Sequence, residues 1–277
     1  MDRALVRHGQ VVRRVRPVES DPWGGWLIKE GSALPTVTLL GCPVAACAPS
    51  CALEWMVSAV EQRRPTYLVT LNAQYLWQMA RDAAFREYVL SAGLIVPEYA
   101  IVWAARRLGT PGLEHIGGIT LLREFLDVAS RKGFRVYLLG AKTEVVATLA
   151  EQLRRRHGPG FVAGWHDGYL SPADEEKVGR EIRQLQPDAV FVAMGLPRQD
   201  WWIRKHGSAL GVPLCMGVGG SFDVLAGLKP DAPLWARGRG LEWLYRIYLD
   251  PRAYLRRYMT VNAWFVMQVY RARRRRR

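Results

Sequence analysis

Short apolar runs alternate along this chain with segments whose apolar residues recur at helical spacing. Most runs end in glycine or a polar residue and lead into a helix-like segment, which is typical of buried parallel strands. The runs cover residues 36–41, 66–72, 94–96, 134–140, 161–165, 189–194 and 212–216. This alternation predicts an α/β fold with a Rossmann-like, doubly wound, mostly parallel sheet.

The intervening segments carry helix signals of their own. At residues 171–174, Ser171 and Pro172 occupy the positions of an N-cap and a first helical residue, and Asp174 is suited to the first turn. The predicted helices cover residues 50–63, 74–88, 119–131, 143–157 and 171–186. Residues 36–63 are therefore predicted to form the first strand and helix of the sheet.

The chain divides into three parts by composition. Residues 1–34 form an irregular basic leader, residues 35–229 the α/β catalytic domain, and residues 230–277 a helical, arginine-rich appendage. Prolines and the turn at residues 237–240 separate the last two parts. Within the appendage the pattern predicts helices over residues 241–249 and 251–274.

The formal net charge of +14 lies at the two ends of the chain. Residues 1–16 carry five arginines and one aspartate, and residues 232–277 carry twelve arginines and two acidic residues, so the segment between them is neutral. Basic ends attract polyanions, either nucleic acid or an anionic lipid surface. Nucleic acid is the less favoured partner, because the basic residues of the appendage alternate with large apolar ones.

The appendage is predicted to lie on a membrane without crossing it. Its longest apolar stretch, residues 258–270, is shorter than the roughly 20 residues that a membrane span needs. We expect its apolar side chains to insert into the headgroup layer, with Arg273 to Arg277 on lipid phosphates. The inserting residues are predicted to be Tyr254, Tyr258, Trp264, Phe265 and Val269. With no secretory signal in this sequence, the expected location is the cytoplasmic, inner face of the cell membrane.

The four cysteines give no reason to predict a metal site. The spacing of Cys42, Cys47 and Cys51 matches no common zinc pattern, and Cys215 lies within an apolar run. We therefore expect reduced, mostly buried thiols and no metal or other cofactor.

Two glycine-rich loops follow the last two apolar runs, at residues 195–200 and 217–223. Glycines there let backbone N–H groups approach an anion, and a following helix directs its positive end at the same place. A phosphate-bearing ligand is the first hypothesis for this edge of the sheet. The residues predicted to bind this ligand are Gly140, at the end of an earlier apolar run, and Gly195, Pro197, Gln199, Gly219, Gly220 and Asp223 in the two loops.

Two of these residues also have explanations that involve no ligand. Gln199 would be an ordinary solvated residue at a helix start. Asp223 would cap the last helix rather than bind a ribose hydroxyl, and the cap is the favoured alternative.

Polar residues also follow the second and third runs. Thr70 and Asn72 alternate with Leu71 and so point to the same side, although helix capping and turn formation are an alternative explanation for both. Glu98 follows Pro97 in an apolar context, where a carboxylate is costly unless it is used or paired. It is the best candidate for a general base.

Several motifs occur in one order along the chain. They are TLNAQ at 70–74, DGYL at 167–170, GLPRQDWWI at 195–203, GVGGSFDVLAG at 217–227, GLEWLYR at 240–246 and DPRAYLRRY at 250–258. This series resembles the WecG/TagA/CpsF glycosyltransferases, glycosyltransferase family 26, over residues 36–258.

The resemblance implies metal-independent transfer of a sugar from a UDP-sugar to an undecaprenyl-diphosphate-linked saccharide, in cell-surface polysaccharide synthesis. It implies that Thr70, Asn72 and Gln199 line the catalytic pocket. It assigns the acceptor diphosphate to Arg246 and Arg256, with Arg252 a less close match. The oligomeric state stays open.

Two departures from the family pattern concern chemistry. Glu98 stands where the family has an aspartate as proposed base, and His115 stands where it has an arginine near the acceptor diphosphate. A glutamate can transfer the same proton, whereas a neutral histidine replaces a fixed guanidinium poorly. The sequence therefore predicts an inverting glycosyltransferase with Glu98 as base. The alternative is a non-catalytic, membrane-associated member that acts as a partner of other polysaccharide enzymes.

Overall fold

A computed structural model describes residues 34–110, 112–233, 236 and 241–275 of the chain. Most of the predicted leader and the predicted turn at residues 237–240 lie outside the described residues. The strands are β1 (Thr36–Leu39), β2 (Cys42–Ala45), β3 (Thr66–Leu71), β4 (Leu94–Pro97), β5 (Val136–Gly140), β6 (Val162–His166), β7 (Ala189–Ala193) and β8 (Leu214–Gly217).

Six of these strands form one parallel sheet in the order β4-β3-β8-β7-β5-β6. Every residue of β3, β5 and β7 is buried, as expected when helices cover both faces of a parallel sheet. The Rossmann-like fold predicted from the alternating runs is confirmed.

The helices are arranged in two layers, one on each face of this sheet. They are α1 (Pro49–Glu61), α2 (Ala73–Met79), α3 (Ala83–Leu90), α4 (Tyr99–Arg107), α5 (Gly118–Lys132), α6 (Thr143–His157), α7 (Pro172–Leu185), α8 (Arg198–Leu210), α9 (Ser221–Leu225), α10 (Glu242–Leu249) and α11 (Pro251–Arg275). One core cluster joins the sheet to α2, α3, α4, α7 and α8, and the other joins it to α1, α5, α6 and α9. The predicted start of α7 is confirmed, since Ser171 and Asp174 form a reciprocal capping box.

The prediction that residues 36–63 form the first unit of the main sheet is wrong. β1 pairs with β2 as an antiparallel hairpin of its own. Leu40 and Gly41 both have positive φ, which is the backbone form that a tight two-residue hairpin turn requires. The predicted helix over residues 74–88 is likewise two helices, because the Asp82 carboxylate accepts from the backbone N–H of Phe85 and starts α3.

The two helices predicted in the appendage are present as α10 and α11. α11 packs on α2 and α4 through Val261, Phe265 and Val269, which are all buried in the body's core. Trp264 meets Trp77 edge to face, with ring centroids 5.3 Å apart. No described helix has the length and apolar character needed to pass through a bilayer.

This packing corrects the predicted set of membrane-inserting residues. Phe265 and Val269 are buried in the body's core and Trp264 packs against it, so these three residues face the body rather than lipid. Tyr258 is half-buried near Trp243, and the side chain of Tyr254 is outside the described set.

Candidate active site

The predicted catalytic and donor-binding residues gather at one edge of the sheet. β4, β3, β8, β7 and β5 are consecutive neighbours and run in the same direction, so the loops after them meet where a Rossmann-like fold places its ligands. Glu98 follows β4, and Asn72 follows β3. The glycine loops at 217–220 and 195–197 follow β8 and β7.

Glu98 and Asn72 are brought into direct contact. The Nδ2 atom of Asn72 donates to Oε2 of Glu98 at 3.2 Å. Burial raises the pKa of Glu98 to about 7, although the charge of Arg246 and hydrogen bonds from Asn72 and Thr70 favour the ionised form. Glu98 is only half-buried, so this carboxyl group combines a raised pKa with an opening to solvent.

Asn72 has two functions in this arrangement. Its Oδ1 atom accepts from the backbone N–H groups of Gln74 and Tyr75, at 3.0 and 3.2 Å, and so caps α2. With the oxygen held by the helix end, the amide nitrogen is left to point at Glu98. The capping explanation of Asn72 is therefore correct, and capping also orients the residue toward the carboxylate.

Thr70 lies at the floor of the site near the end of β3. It is buried, and a Cβ atom placed on Gly118 would lie 3.3 Å from its Cγ2 atom. The absence of a side chain at Gly118 lets the start of α5 approach Thr70 closely. Thr70 thus lies beside both Glu98 and the amino-terminal end of α5.

The C-terminal appendage reaches the site through α10. Arg246 is close enough to Glu98 to lower its pKa, while Glu242, one turn earlier, raises it. Arg252 and Arg256 are exposed near the start of α11. Among the described side chains, neither forms a hydrogen bond or ion pair with Glu98 or Asn72. The structure therefore brings one of the three predicted arginines next to the carboxylate.

His115 lies in the segment between α4 and α5. The adjacent Ile116 donates its backbone N–H to the carbonyl of Pro97 at 2.9 Å, which ties this segment to the end of β4. The His115 ring meets Tyr99, the residue after Glu98, with centroids 6.1 Å apart. Burial lowers the pKa of His115, so the imidazole is neutral at pH 7 and does not supply a fixed positive charge.

The loop after β5 requires glycine for close approach. A Cβ atom on Gly140 would lie 2.5 Å from the backbone of Ala193, and Gly140 has a φ of +127°. A Cβ on Gly168 would lie 3.1 Å from the Cα of Gly140. The loops after β5, β6 and β7 therefore contact one another through their backbones.

Gln199 holds the other glycine loop. Its Oε1 atom accepts from the backbone N–H of Gly219 at 2.9 Å, and the residue is 3% exposed. The interpretation of Gln199 as a solvated surface residue is therefore wrong. Gly195 accepts from the backbone N–H of Gln199 at 3.0 Å, and Pro197 is the N-cap residue of α8.

The helix after the second glycine loop differs from the expectation. α9 has only five residues and begins after Gly220, so its dipole is small. Asp223 does not cap α9. Its Oδ1 atom lies 2.9 Å from Nζ of Lys229, so the favoured capping interpretation is wrong and the ribose role stays a prediction.

The sequence pattern did not predict a role for two further residues at this edge of the sheet. Tyr169, in the DGYL motif after β6, is 69% exposed and presents its ring to solvent. Asp200 is 1% exposed near the start of α8, where its charge suggested a surface position. The motif signalled Tyr169, whereas no local signal marked Asp200 as buried.

The described part of the chain contains no group of three or more histidine, cysteine, aspartate or glutamate residues that could hold a metal ion. The four cysteines are free. Cys42 and Cys215 are buried, whereas Cys47 and Cys51 are half-buried, so the prediction of buried thiols holds for two of the four. Metal independence itself stays a prediction.

Comparison with known proteins agrees with a transferase site of this kind. The model of the Glycosyl transferase WecG/TagA/CpsF family matches residues 37–277. The chain belongs to this glycosyltransferase family.

Two relatives carry the name N-acetylglucosaminyldiphosphoundecaprenol N-acetyl-beta-D-mannosaminyltransferase. The protein from Staphylococcus aureus (strain NCTC 8325 / PS 47) is 37% identical over 185 residues, which cover 66% of this chain and 72% of the relative. The protein from Bacillus spizizenii (strain ATCC 23059 / NRRL B-14472 / W23) is 32% identical over 199 residues, which cover 71% and 76%.

Proposed function

We propose that this protein transfers a sugar from a UDP-sugar to a saccharide carried on undecaprenyl diphosphate, with inversion at the anomeric carbon and without a metal. The observation that carries the proposal is the Glu98 carboxylate, half-buried, hydrogen-bonded to Asn72 and approached by Arg246. A carboxyl group with a pKa near the working pH is suited to general base catalysis. The names of the two relatives make N-acetyl-D-mannosamine the first sugar to test.

The reaction needs one proton transfer and one substitution. Glu98 accepts the proton of an acceptor hydroxyl while that oxygen forms a bond to the anomeric carbon of the donor sugar. The bond from this carbon to the UDP oxygen breaks on the opposite face, and UDP leaves with the electron pair. Asn72 holds the carboxylate by its hydrogen bond, and Thr70 borders the same pocket.

The donor is assigned to the loops after β5, β7 and β8. Gly140, Gly195, Gly219 and Gly220 let the diphosphate approach the loop backbone closely. The N–H of Gly219 is itself bonded to Gln199, so Gly219 shapes the loop and other backbone N–H groups would face the diphosphate. The exposed ring of Tyr169 offers a stacking surface for the uracil base, and Asp223 a partner for a ribose hydroxyl.

The acceptor is assigned to the side of β4 and the appendage. Arg246 lies by Glu98, while Arg252 and Arg256 follow along the exposed surface of α11. Guanidinium groups bind phosphate oxygens through paired N–H donors, so these three arginines suit an acceptor diphosphate. His115 borders this side as a neutral donor or acceptor of hydrogen bonds.

The outward side of α11 supports attachment to a membrane surface. Leu255, Met259, Val266 and Tyr270 recur at intervals of four, seven and four residues, and all are exposed. They lie on a face of the helix distinct from the one that contains Phe265. An exposed apolar stripe flanked by arginines fits the interface between lipid headgroups and acyl chains. We place the protein at the inner face of the membrane, where its lipid-linked acceptor would lie.

The transfer is tested with the full chain, a panel of UDP-sugars and a synthetic N-acetylglucosaminyl-diphosphoryl-polyprenol. We expect UDP release that requires both substrates and a lipid product heavier by one sugar residue, formed with N-acetyl-D-mannosamine. UDP binding without product from any donor would contradict the proposal. The non-catalytic alternative would then be favoured, in agreement with the neutral His115 in place of an arginine.

Membrane attachment is tested by co-sedimentation with vesicles of phosphatidylglycerol and phosphatidylcholine. Replacing Met259, Val266 and Tyr270 with serine should weaken binding, and neutralising Arg273 and Arg274 should cost about 1 kcal/mol each at low salt. Leu228→Ser is the matched control, because Leu228 is an exposed apolar residue outside the appendage. Equal binding of the wild type and the triple serine variant would contradict the attachment. A deletion of residues 259–277 would not test the attachment, because it would also remove Val261, Phe265 and Val269 from the core.

A further inference from the structure

Asp200 is a carboxylate that the proposed reaction does not use. It is 1% exposed, and burial raises its pKa to about 7. The hydroxyl of Tyr75 donates to its Oδ1 atom at 2.8 Å, and hydrogen bonding from Tyr88 also favours the ionised form. A buried carboxylate is costly, so this position calls for an explanation beyond packing.

Tyr75 connects Asp200 to both sides of the candidate active site. Its backbone N–H donates to Oδ1 of Asn72, the residue that also contacts Glu98. Its hydroxyl donates to Asp200. Burial raises the pKa of this hydroxyl, and a hydrogen bond from the Gln199 side chain opposes that rise. Tyr75 is itself buried, so water does not compete for these bonds.

Gln199 is the next link toward the donor loop. Its Oε1 atom accepts from the backbone N–H of Gly219 at 2.9 Å. A Cβ atom on Gly217 would lie 2.5 Å from Nε2 of Gln199, so the carboxamide lies directly against the loop backbone. The loop and this side chain therefore fit together only while Gln199 keeps its orientation.

The direction of each hydrogen bond follows from Asp200. The Tyr75 hydroxyl donates its single proton to Oδ1 of Asp200, so its oxygen can only accept from other groups. The hydroxyl oxygen of Tyr75 is then an acceptor for Nε2 of Gln199. Nε2 of Gln199 is thus directed at Tyr75 and Asp200, while its Oε1 atom accepts from Gly219. If the Tyr75 hydroxyl donated to Gln199 instead of Asp200, the carboxamide of Gln199 would have to turn over. Its Nε2 would then face the N–H of Gly219, and two donors cannot bond to each other.

We propose that Asp200 and Tyr75 are positioning residues that orient Gln199 and thereby hold the Gly219 loop in the form that binds the diphosphate of the nucleotide-sugar. This inference rests on the proposed function, since it assigns the loop to a UDP-sugar. The residues do not touch the substrate. They act through the loop backbone, and Tyr75 joins that loop to the Asn72 and Glu98 pair.

The test uses Tyr75→Phe and Asp200→Asn in the full chain, with UDP as the probe. Tyr75→Phe removes the hydrogen bond to Asp200, and Asp200→Asn weakens it by removing the charge of the acceptor, so each variant should weaken UDP binding by about three- to tenfold. Because both residues act through one series of hydrogen bonds, their effects should not add. The double variant should bind UDP about as tightly as the more affected single variant. The KM for the donor should rise by a similar factor, with kcat changed less.

Tyr137→Phe is the matched control. Tyr137 is buried, and its hydroxyl donates to a carboxylate, Oε1 of Glu181 at 3.1 Å, on a different strand and helix. It should lose stability as Tyr75→Phe does and keep the wild-type affinity for UDP. A purely structural role for Tyr75 predicts equal losses of UDP affinity in the two variants, and that result would overturn the proposal.

A second measurement does not depend on nucleotide binding. In protein labelled with ¹⁵N-glycine, the amide signal of Gly219 should shift and exchange faster with solvent in both Tyr75→Phe and Asp200→Asn, and remain unchanged in Tyr137→Phe. An unchanged Gly219 signal in the first two variants refutes the positioning role. If the wild type fails to bind UDP, the proposed function fails, while the Gly219 signal still decides whether Asp200 and Tyr75 hold the loop.

Discussion

Two carboxyl groups at the same edge of the sheet have raised pKa values near 7 for the same reason, yet their surroundings differ. Glu98, after β4, is half-buried, contacts an amide and lies near the positive charge of Arg246. Asp200, on α8, is enclosed, and its partners are tyrosine hydroxyls. A raised pKa marks both positions, and access to substrate distinguishes them. We therefore assign proton transfer to Glu98 and loop positioning to Asp200.

The largest effect that separates the two groups is on turnover. Glu98→Gln keeps the shape and the contact with Asn72 but removes the base, so turnover should fall by roughly 10²- to 10⁴-fold. UDP affinity, measured by calorimetry, should stay close to that of the wild type. Asp200→Asn should show the reverse pattern, with weaker UDP binding and a smaller change in kcat. Near-wild-type turnover in Glu98→Gln would remove Glu98 from the mechanism.

The next effect is on stability. Burial raises the pKa of Glu98 in the folded state from 4.5 to about 7, so its ionisation destabilises the fold progressively as pH rises between these values. Glu98→Gln removes this cost and should raise the free energy of unfolding at pH 8 relative to pH 4. The gain should be at most about 3 kcal/mol, because one pKa unit corresponds to about 1.4 kcal/mol and Glu98 is partly exposed.

Urea unfolding of both proteins at the two pH values measures this difference. Glu61→Gln is the control, since Glu61 is an exposed partner of Lys132 and should change stability little. A gain that is the same at pH 4 and pH 8 would show that the ionised form of Glu98 is not the cause.

A smaller effect on the pH dependence of the rate concerns Arg246, whose charge acts on Glu98 and is not among the causes of the raised pKa of Asp200. Arg246 lowers the pKa of Glu98, so Arg246→Gln should move the acidic limb of the rate profile to higher pH. The KM for the lipid-linked acceptor should rise, whereas UDP affinity should change little. A profile that does not move would show that Arg246 is too far from the carboxylate to act on it in solution.

The smallest expected effect is that of a chelator. Because the donor diphosphate is assigned to backbone N–H groups rather than to a metal, EDTA should leave turnover unchanged. Loss of activity that manganese or magnesium restores would show that a metal neutralises the diphosphate instead.

The sequence predicted the Glu98 side of the site better than the Asp200 side. Glu98 and Asn72 each follow an apolar strand, and adjacent parallel strands bring their ends together, so the contact follows from local pattern and topology. Asp200 accepts a hydrogen bond from Tyr75, which is 125 residues away in the sequence, and no local pattern reports such a contact. The same limit explains the appendage, where the spacing predicted α11 but not which of its two apolar faces packs on the body.

The pH profile of kcat/KM tests most directly whether Glu98, rather than Asp200, is the base. The wild-type rate should rise with pH through a limb near 7, because Glu98 must lose its proton to accept another. Asp200→Asn should retain this limb, and the residual rate of Glu98→Gln should lack it. A limb near 7 that persists in Glu98→Gln, or that disappears in Asp200→Asn, would contradict the assignment.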